Sequence, residues 1–413
     1  MQSVNELPNV DRLTPASPVC PVDHAHYKTE RVLQPGSPSL WRDDAGAWHV
    51  YGYDEAKIVM RSLTTQQAGF KAELLGMMPS DMRRPILYQE GPQHLEQRKQ
   101  TARFFTPKAV SAYHPVMQEV ARSLVARLQR EKRADLRTLN LEMAMRVVSE
   151  VVGLTNSRIP GIANRLDIFL ADEQALVKTK LGRMWRKIKN RSSVLLFFLL
   201  DVQPSIRARE RHPKDDLITY LLTQHYKDWE IFTECVTYGA AGMVTTREFM
   251  ALALWHLLEQ PQLRTRYIQA GETERHAILH EILRLEPIVT QLRRRVQADI
   301  ALTSAGQPYV IRKGDLVIVN VQAVNTDTSV VGEAPDAVCP MREMHKQVVM
   351  PSVISFGDGH HRCPGAYVAL QETDVLLQYL LPVPGLRIEH APDMFWSETA
   401  AGPVLSNFII AVD

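Results

Sequence analysis

Two adjacent histidines and a lone thiol lie close together near the C-terminal end of the sequence. Residues 355–370, SFGDGHHRCPGAYVAL, place His360, His361 and Cys363 among glycines, and a run with helical periodicity follows them. Side chains of these types serve three kinds of site: a zinc-ligand cluster, a nucleophilic thiol, or the axial thiolate of a haem. Each kind of site makes a different demand on the rest of the chain.

The spacing disfavours the first two kinds of site. Structural zinc needs four ligands, usually as two pairs at fixed separations. Here the candidate ligands are crowded into one stretch, and Cys339 is solitary. A catalytic thiol needs a positioned general base and an oxyanion site, and the sequence specifies neither. The position of His361, two residues before Cys363, is only a weak indication of a base.

A haem thiolate explains more of the stretch. Sulfur bound to iron must stay anionic, which favours backbone N–H donors around it and the exclusion of water. Gly357, Gly359 and Gly365 would let the backbone approach the sulfur and a porphyrin without an intervening Cβ. The helix expected after Pro364 would direct its positive N-terminal end at the sulfur, and Phe356 would supply an aromatic wall.

The pattern F-G-x-G-x-H-x-C-x-G over residues 356–365 resembles the haem-binding loop of the cytochrome P-450 family, position for position. The alternative is a glycine-rich turn that precedes a helix and buries a cysteine. The resemblance implies heme b (iron protoporphyrin IX) as cofactor and Cys363 as the metal ligand, whose electron-rich sulfur helps to cleave the O–O bond. The other cofactor-binding residues that it implies in this loop are Phe356, Gly357, His361 and Gly365.

A charged pair upstream supports the resemblance. Glu281 and Arg284 lie one turn apart on a helical segment, and as an exposed pair they would contribute only tenths of a kcal/mol. Their place before a change to β-type sequence resembles the family's ExxR pair, which anchors the haem-side core through a buried network. Arg342 resembles the third member of that network, although Val338 replaces the usual aromatic residue nearby.

Cations elsewhere in the chain could neutralise the two haem propionates, because the planar guanidinium group of arginine binds carboxylates well. His94 and Arg98, one turn apart, resemble the family's HxxxR helix. Arg294, five residues before Asp299, resembles the propionate arginine; the alternative is a solvated arginine cluster. Val353 occupies a position that often holds a further propionate histidine, so one hydrogen bond is expected to be missing.

Residues 237–246, TYGAAGMVTT, resemble the family's oxygen-binding helix. Ala241 and Gly242 would leave room for O₂ against a locally opened helix, and Thr245 would offer a hydroxyl. The alternative is a set of small residues that pack one helix against a neighbour.

The acid position of this helix holds Val244, so protons must reach oxygen by another route. Glu248, one turn past Thr245, is a candidate substitute. It could equally pair with Arg247 on the surface, and the substrate or ordered water could carry the protons instead.

The resemblance assigns a substrate pocket to the segment after the first long helix, to helices before residue 200 and to the strand after the ExxR helix. The methionine-rich, apolar character of the first segment suits a hydrophobic substrate, although ordinary loop packing would look the same. The expected lining residues are Phe70, Leu74, Met77, Met78, Ile86, Ile288, Val289 and Leu292.

Two groups of cations suggest partners. Residues 178–191, KTKLGRMWRKIKNR, carry seven cations and no acid. They form either a solvated helix face or a basic rim for an anionic substrate, a carrier protein or an anionic membrane surface. No flavin or iron–sulfur segment is evident, so an acidic ferredoxin or flavodoxin, with its reductase, would supply electrons at the proximal face. The cations expected there are Arg98, Lys99, Arg103, Lys108 and Arg362.

Composition sets the wider limits. The 413 residues are 45% apolar and 23% charged with a net charge of +2, which gives no global case for nucleic-acid binding. The four cysteines form no CxxC pair, which argues against a disulfide framework and for a reducing compartment. The first residues lack a signal-peptide core, and the longest apolar stretch, 194–200, is too short to span a bilayer. We expect a cytoplasmic monomer without a transmembrane segment.

Periodicity predicts the elements that must position these residues. Residues 1–45 read as an irregular lead-in, and 46–413 as one domain without a linker. Helical patterns dominate residues 107–285, short β-type pieces follow Pro287, and a helix returns after Pro364. The fold class is mainly α with a smaller β portion (α+β). The resemblance implies the cytochrome P-450 fold, with haem between the oxygen-binding helix and the cysteine-loop helix.

The function implied is a haem-thiolate monooxygenase that inserts oxygen from O₂ into a largely apolar small molecule, with or without an anionic group, in specialised metabolism. One alternative keeps the haem but performs a non-hydroxylating oxidation (coupling, desaturation or rearrangement) or peroxide-driven chemistry. Another is a non-catalytic haem sensor.

Overall fold

The computed structural model describes residues 28–29, 37–70, 72, 82–170, 192–398 and 401–413. The helices of this part are α1 (Tyr53–Arg61), α2 (Gly91–Thr101), α3 (Pro107–Glu131), α4 (Leu136–Val152), α5 (Ile162–Leu170), α6 (192–211), α7 (Leu217–Thr223), α8 (Asp228–Glu259), α9 (Pro261–Gln269), α10 (Glu272–Leu285), α11 (Val321–Asn325), α12 (Thr328–Val331) and α13 (Ala366–Leu380). A π-helical turn, Phe198–Val202, lies within α6.

The strands are short. They are β1 (Leu40–Arg42), β2 (Trp48–Val50), β3 (Thr65–Gln67), β4 (Arg133–Asp135), β5 (Gln291–Val296), β6 (Ile300–Ser304), β7 (Gln307–Ile311), β8 (Leu316–Asn320), β9 (Arg387–His390), β10 (Asp393–Ser397), β11 (Gly402–Ser406) and β12 (Ile409–Ala411). The expected class, mainly α with a smaller β portion, is confirmed.

Local sequence signals explain where the long helices begin and end. The hydroxyl of Thr106 accepts a hydrogen bond from the N–H of Ala109, and Pro107 occupies the first helical position of α3, where no N–H donor is needed. The carboxylate of Asp135 caps α4 in the same way, and Gly153 with φ +96° ends it. The ends of these helices are therefore specified by local sequence.

Helix α8 runs through the centre of the molecule and packs against α4, α10 and α13. Most of its side chains are buried, which is expected for a helix that is apolar on nearly every face. Helices α3, α4, α8, α10 and α13 share one large hydrophobic cluster. A rigid central helix of this kind can hold small and polar side chains at fixed positions along its length.

The main sheet joins distant parts of the chain in the order β1-β2-β8-β5-β3. Strand β3 pairs antiparallel with β5, and this register places Gln67 opposite Arg294. Strand β1 lies inside the stretch 1–45 that was expected to be irregular. Thr29, from the same stretch, donates its backbone N–H to the carboxylate of Glu286, so parts of the lead-in contact the main body.

One expectation about the cysteines was wrong. Cys339 is disulfide-bonded. Cys235 and Cys363 carry free thiols. Sequence spacing missed this bond because the two cysteines of a disulfide are brought together by the fold and need not be near in sequence. No helix in the described part of the chain combines the length and hydropathy that a membrane crossing requires.

Candidate active site

The cysteine loop is a tight backbone turn that packs against helix α1. The N–H of Cys363 donates to the carbonyl of Phe356 at 2.8 Å, which closes the loop. Gly357 and Gly359 have φ of +70° and +68°, values that side chains with a Cβ adopt at a cost. A Cβ on Gly359 would lie 2.3 Å from the carbonyl oxygen of Met60, so glycine is required there by steric contact as well.

Cys363 has an exposed surface and a tightly packed environment. The residue is exposed, yet enough protein surrounds it that burial raises the pKa of its thiol. The N–H of Gly365 and the positive charges of Arg98 and Arg362 act in the opposite direction and favour the thiolate. Helix α13 begins at Ala366 as expected, one residue after its N-cap.

A carboxylate joins the two histidines of the loop. His361 Nε2 lies 2.9 Å and His360 Nε2 3.2 Å from the carboxylate oxygens of Glu90, next to α2. Burial alone would raise the pKa of Glu90, but hydrogen bonds from these two imidazoles lower it to about 2. The ring of His94, on α2, stacks on His361 with centroids 4.4 Å apart. Burial, together with the charges of His361 and Arg98, lowers the pKa of His94 to about 4.

Strand β5 brings Arg294 to the same place. Its side chain is only 2% exposed, and it donates to the side-chain oxygen of Gln67. Burial lowers the pKa of Arg294 to about 10, partly offset by the negative charge of Glu90. Arg98 of α2 donates to the carbonyl of Arg362 in the cysteine loop. Elements far apart in sequence thus concentrate positive charge beside the loop.

These side chains fit the carboxylates of a haem. Buried nitrogen atoms with no hydrogen-bond partner among the described residues occur on Gln67 (Nε2), His94 (Nδ1), Arg294 (Nε) and His360 (Nδ1). Buried donors are almost always satisfied in folded proteins, so such a group of them indicates an anionic partner. Haem propionates are anions of the right kind, and the thiol of Cys363 nearby suits the iron.

Two histidines of this region, together with Glu90, could also form a metal site. Ligand atoms of Glu90, His94 and His361 lie within 4.8 Å of one another, a His₂Glu set that zinc enzymes also use. The sequence did not suggest this set, because Glu90 and His361 are 271 residues apart. The neighbouring guanidinium groups of Arg98 and Arg294 disfavour a second cation at this position. Charge therefore favours an anion as the occupant.

The expected ion-pair network is present as a set of contacts. Arg284 donates two hydrogen bonds to the carboxylate of Glu281, at 2.6 and 2.9 Å, and both side chains are at most 2% exposed. Arg342 reaches the same carboxylate at 3.3 Å. The N–H of Cys339 donates to it at 2.8 Å. The two guanidinium groups also donate to backbone carbonyls between Asn325 and Ala337.

Helix α8 is continuous through residues 237–246, so the structure does not contain the expected local opening. The hydroxyl of Thr245 donates to the carbonyl of Ala241 at 2.6 Å. Ala241 is exposed although it lies in the middle of a buried helix, which fits a position that faces a recess. A Cβ on Gly242 would lie 3.0 Å from Cγ2 of Val148. Helix packing against α4 therefore accounts for Gly242.

Glu248 is engaged in structural contacts. Its carboxylate accepts hydrogen bonds from Nε of Arg247 at 2.7 Å and from the backbone N–H of Leu405 at 2.8 Å. Both charged side chains are buried, which differs from the surface pair weighed as the alternative. Val244 is partly buried and packs against a hydrophobic cluster. These contacts do not support Glu248 as the replacement acid.

The expected pocket residues are not gathered into one wall. Leu74, Met77, Met78 and the basic stretch 178–191 lie outside the described residues. Ile86 and Ile288 are buried in two different hydrophobic clusters. Phe70, Val289 and Leu292 are only partly buried. These three retain surface that a substrate could contact.

The functional residues that sequence reasoning missed are Gln67, Glu90 and His360. His360 lies in the quoted loop, but its type gave no reason to prefer it over His361. The other two carry no local signal, because their importance comes from pairing across the fold.

Comparison with known proteins gives an independent result. Residues 275–382 match the family model described as "Cytochrome P450". The "Biotin biosynthesis cytochrome P450" of Bacillus subtilis (strain 168) is 24% identical over 370 residues, covering 87% of this chain and 88% of that protein. The "Mycinamicin VIII C21 methyl hydroxylase" of Micromonospora griseorubida is 24% identical over 385 residues, covering 90% and 91%.

Solved structures share the fold. CalO2 matches with a TM-score of 0.74 and 22% identity, covering 91% of this chain and 93% of that one. P450BioI in complex with hexadec-9Z-enoic acid ligated acyl carrier protein matches with a TM-score of 0.72 and 21% identity, covering 91% and 94%. Residues 275–382 thus match the cytochrome P450 family, and the described chain has the fold of cytochrome P450 proteins; these similarities support a heme b-dependent oxidoreductase of the monooxygenase class.

Proposed function

We propose that this protein inserts oxygen into a largely apolar small molecule, with Cys363 as the axial ligand of the haem. The observation that carries this proposal is the group of buried, unpartnered nitrogen donors beside the cysteine loop. Together with the charges of Arg98 and Arg294, they would satisfy the oxygen atoms of two propionates beside the exposed Cys363.

Haem bound at this thiolate supplies the centre at which dioxygen is activated. The guanidinium groups of Arg98 and Arg294 would neutralise the propionates, and the imidazoles of His94 and His361 would donate hydrogen bonds to them and so fix the cofactor's orientation. The N–H of Gly365 and the charge of Arg98 stabilise the thiolate form of Cys363. Phe356 packs against the main hydrophobic cluster and forms one wall of the loop.

Thr245 is the polar group that helix α8 offers toward oxygen. Its hydroxyl proton is committed to the carbonyl of Ala241, so its oxygen lone pairs remain available to accept a hydrogen bond from water. The small side chain of Ala241 leaves space beside it. Ordered water or the substrate must complete the proton path, because Val244 and Glu248 do not.

The substrate that we propose is mainly apolar and, more specifically, an acyl compound. The partly buried Phe70, Val289 and Leu292 support a mainly apolar ligand. The similarity to a biotin-biosynthesis protein, and to a structure that holds a fatty-acyl carrier protein, supports an acyl substrate with an anionic group or a carrier. We place the reaction in specialised metabolism on the same grounds.

Electrons come from a separate protein in this proposal. Lys99, Arg103 and Lys108 are exposed near the segments that precede and begin α3, where an acidic ferredoxin or flavodoxin could dock. Arg98, by contrast, is turned toward the cysteine loop. Loss of coupled turnover at raised ionic strength would support this face as the docking site.

The proposal is tested with purified protein reconstituted with haem. The reduced, CO-bound spectrum should show the red-shifted band of a thiolate ligand, and Cys363→Ala should abolish that band. Consumption of NAD(P)H with a surrogate ferredoxin and reductase should then match the amount of oxidised product formed from a library of acyl acids. A Cys363→Ala protein that keeps an unaltered spectrum contradicts the proposal.

A second candidate function is peroxide-driven or non-hydroxylating oxidation. Val244 at the acid position, together with the engaged carboxylate of Glu248, favours it. Turnover supported by hydrogen peroxide without redox partners should then exceed turnover supported by NAD(P)H. Val244→Asp should shift the balance toward NAD(P)H-coupled turnover, and an unchanged balance would argue against a proton-delivery defect.

A further inference from the structure

Gln67 contacts Arg294, one of the cationic side chains beside the cysteine loop. The sequence alone did not predict this position for a glutamine. Strand β3 pairs with β5 so that Gln67 stands opposite Arg294, and the side chain of Gln67 is 4% exposed. Its side-chain oxygen accepts from Arg294, and its backbone N–H donates to the carboxylate of Glu90 at 3.1 Å. The contact with Arg294 orients the side-chain amide, and the contact with Glu90 holds the backbone of strand β3.

The other half of that amide has no partner. Nε2 of Gln67 is buried and makes no hydrogen bond within the described part of the chain. Because the side-chain oxygen is oriented by the guanidinium of Arg294, the amide cannot be turned over without placing its N–H groups against a positive charge. Nε2 is therefore a preoriented donor, and it belongs to the same group as the unpartnered nitrogens of His94, Arg294 and His360.

The resemblance implies a propionate histidine three residues before Phe356. Val353, whose side chain cannot donate a hydrogen bond, occupies that position and is buried in a hydrophobic cluster. Its φ of +56° is unusual for a β-branched residue, so this turn is held in place by its surroundings. We propose that Gln67 supplies the missing contact by donating a hydrogen bond from Nε2 to a haem propionate.

A purely structural role makes a different prediction. If Gln67 acts only by orienting Arg294, Gln67→Leu should cause no further loss of haem in a protein that already carries Arg294→Leu. If Nε2 donates to a propionate, Gln67→Leu should accelerate the loss of haem in that background too. Gln67→Glu likewise loses the donor and adds a carboxylate beside the propionate. Gln67→Leu removes both functions and serves as the reference for full loss.

The test measures haem retention in the complete holoprotein. Transfer of haem to excess apomyoglobin is followed by visible absorption, without substrate or redox partner. We expect Gln67→Glu and Gln67→Leu to lose haem roughly ten- to a hundredfold faster than the wild type, the range for one hydrogen bond to a charged acceptor. Gln66→Leu, one residue away on the opposite face of β3, is the matched control and should behave as the wild type.

Haem dimethyl ester makes the experiment specific for the propionates. Proteins reconstituted with this uncharged cofactor should lose it at similar rates whether residue 67 is Gln or Glu. A wild-type rate for Gln67→Glu with ordinary haem overturns the proposal, as does a difference of the same size with the ester. Circular dichroism of each variant shows that the fold is intact. The result depends on the heme b cofactor and not on the proposed substrate or reaction, so the two can fail separately.

Discussion

The carboxylate of Glu248 and the backbone N–H of Leu405 lie 2.8 Å apart, which ties the central helix α8 to strand β11. Arg247 completes the contact from the adjacent position at 2.7 Å. Asn140 of α4 in turn donates to the carbonyl of Arg247 at 3.1 Å. The buried pair of Arg247 and Glu248 therefore connects helix α4, helix α8 and strand β11.

Replacement of Glu248 by Ala should lower stability by roughly 3 kcal/mol, because it leaves the buried charge of Arg247 without this carboxylate. Glu248→Gln should cost less, since the amide oxygen can still accept from Leu405. Thermal unfolding measures both changes. The fraction of NAD(P)H converted to product should stay close to that of the wild type in Glu248→Gln, whereas a proton donor at this position would give marked uncoupling without a loss of stability.

Replacement of Glu281 by Ala should destabilise the protein by about 3–5 kcal/mol, because two buried guanidinium groups lose their shared carboxylate. Chemical denaturation gives the change in the free energy of unfolding. Arg207 and Glu210 form the same kind of pair at the same spacing, but on an exposed face. Glu210→Ala is therefore the control, with an expected cost of about 0.5 kcal/mol or less. Equal costs for the two variants would mean that the buried network is not maintained in solution.

Replacement of Gly359 by Ala should cost about 3 kcal/mol or more, because strain at positive φ is added to a clash with the backbone of Met60. Gly91 provides a close comparison, since its φ is +74° and a Cβ added there would have no neighbouring atom within 4 Å. Gly91→Ala should cost only about 1 kcal/mol. Thermal unfolding and haem content distinguish the two, and similar losses in both variants would contradict the contact with α1.

Replacement of Glu234 by Gln should change the pH dependence of stability. This carboxyl accepts hydrogen bonds from the N–H of Ile86 and from Gln97, at 3.0 and 3.1 Å, and burial raises its pKa to about 7. Because the folded state holds this proton more tightly than the unfolded chain does, wild-type stability falls as pH rises from about 4.5 to about 7.

The glutamine variant lacks this titration. Its free energy of unfolding, relative to that of the wild type, should therefore increase across that pH range, by up to about 3 kcal/mol above pH 7. Unfolding in urea at pH 5, 6, 7 and 8 measures the difference between the two proteins. A difference that stays constant from pH 5 to pH 8 would show that Glu234 does not titrate in this window.

The sequence by itself determined those features whose chemistry depends on local spacing. The cysteine loop, the Glu281–Arg284 pair and the His94–Arg98 pair each lie within a few residues, so one turn of helix or one loop fixes their geometry. The long helices were also predictable, because their caps and apolar periodicity are local.

Only the tertiary structure decided which partners meet across the fold. Gln67 contacts Arg294 from 227 residues away, and the pairing of β3 with β5 brings them together. Glu90 joins the histidines of the cysteine loop in the same way. The close approach of Val148 explains why residue 242 is a glycine. The hydrogen bond to Leu405 indicates that Glu248 has a structural role and is not the proton donor. Such contacts depend on how helices and strands pack, and packing joins residues whose separation along the chain carries no signal.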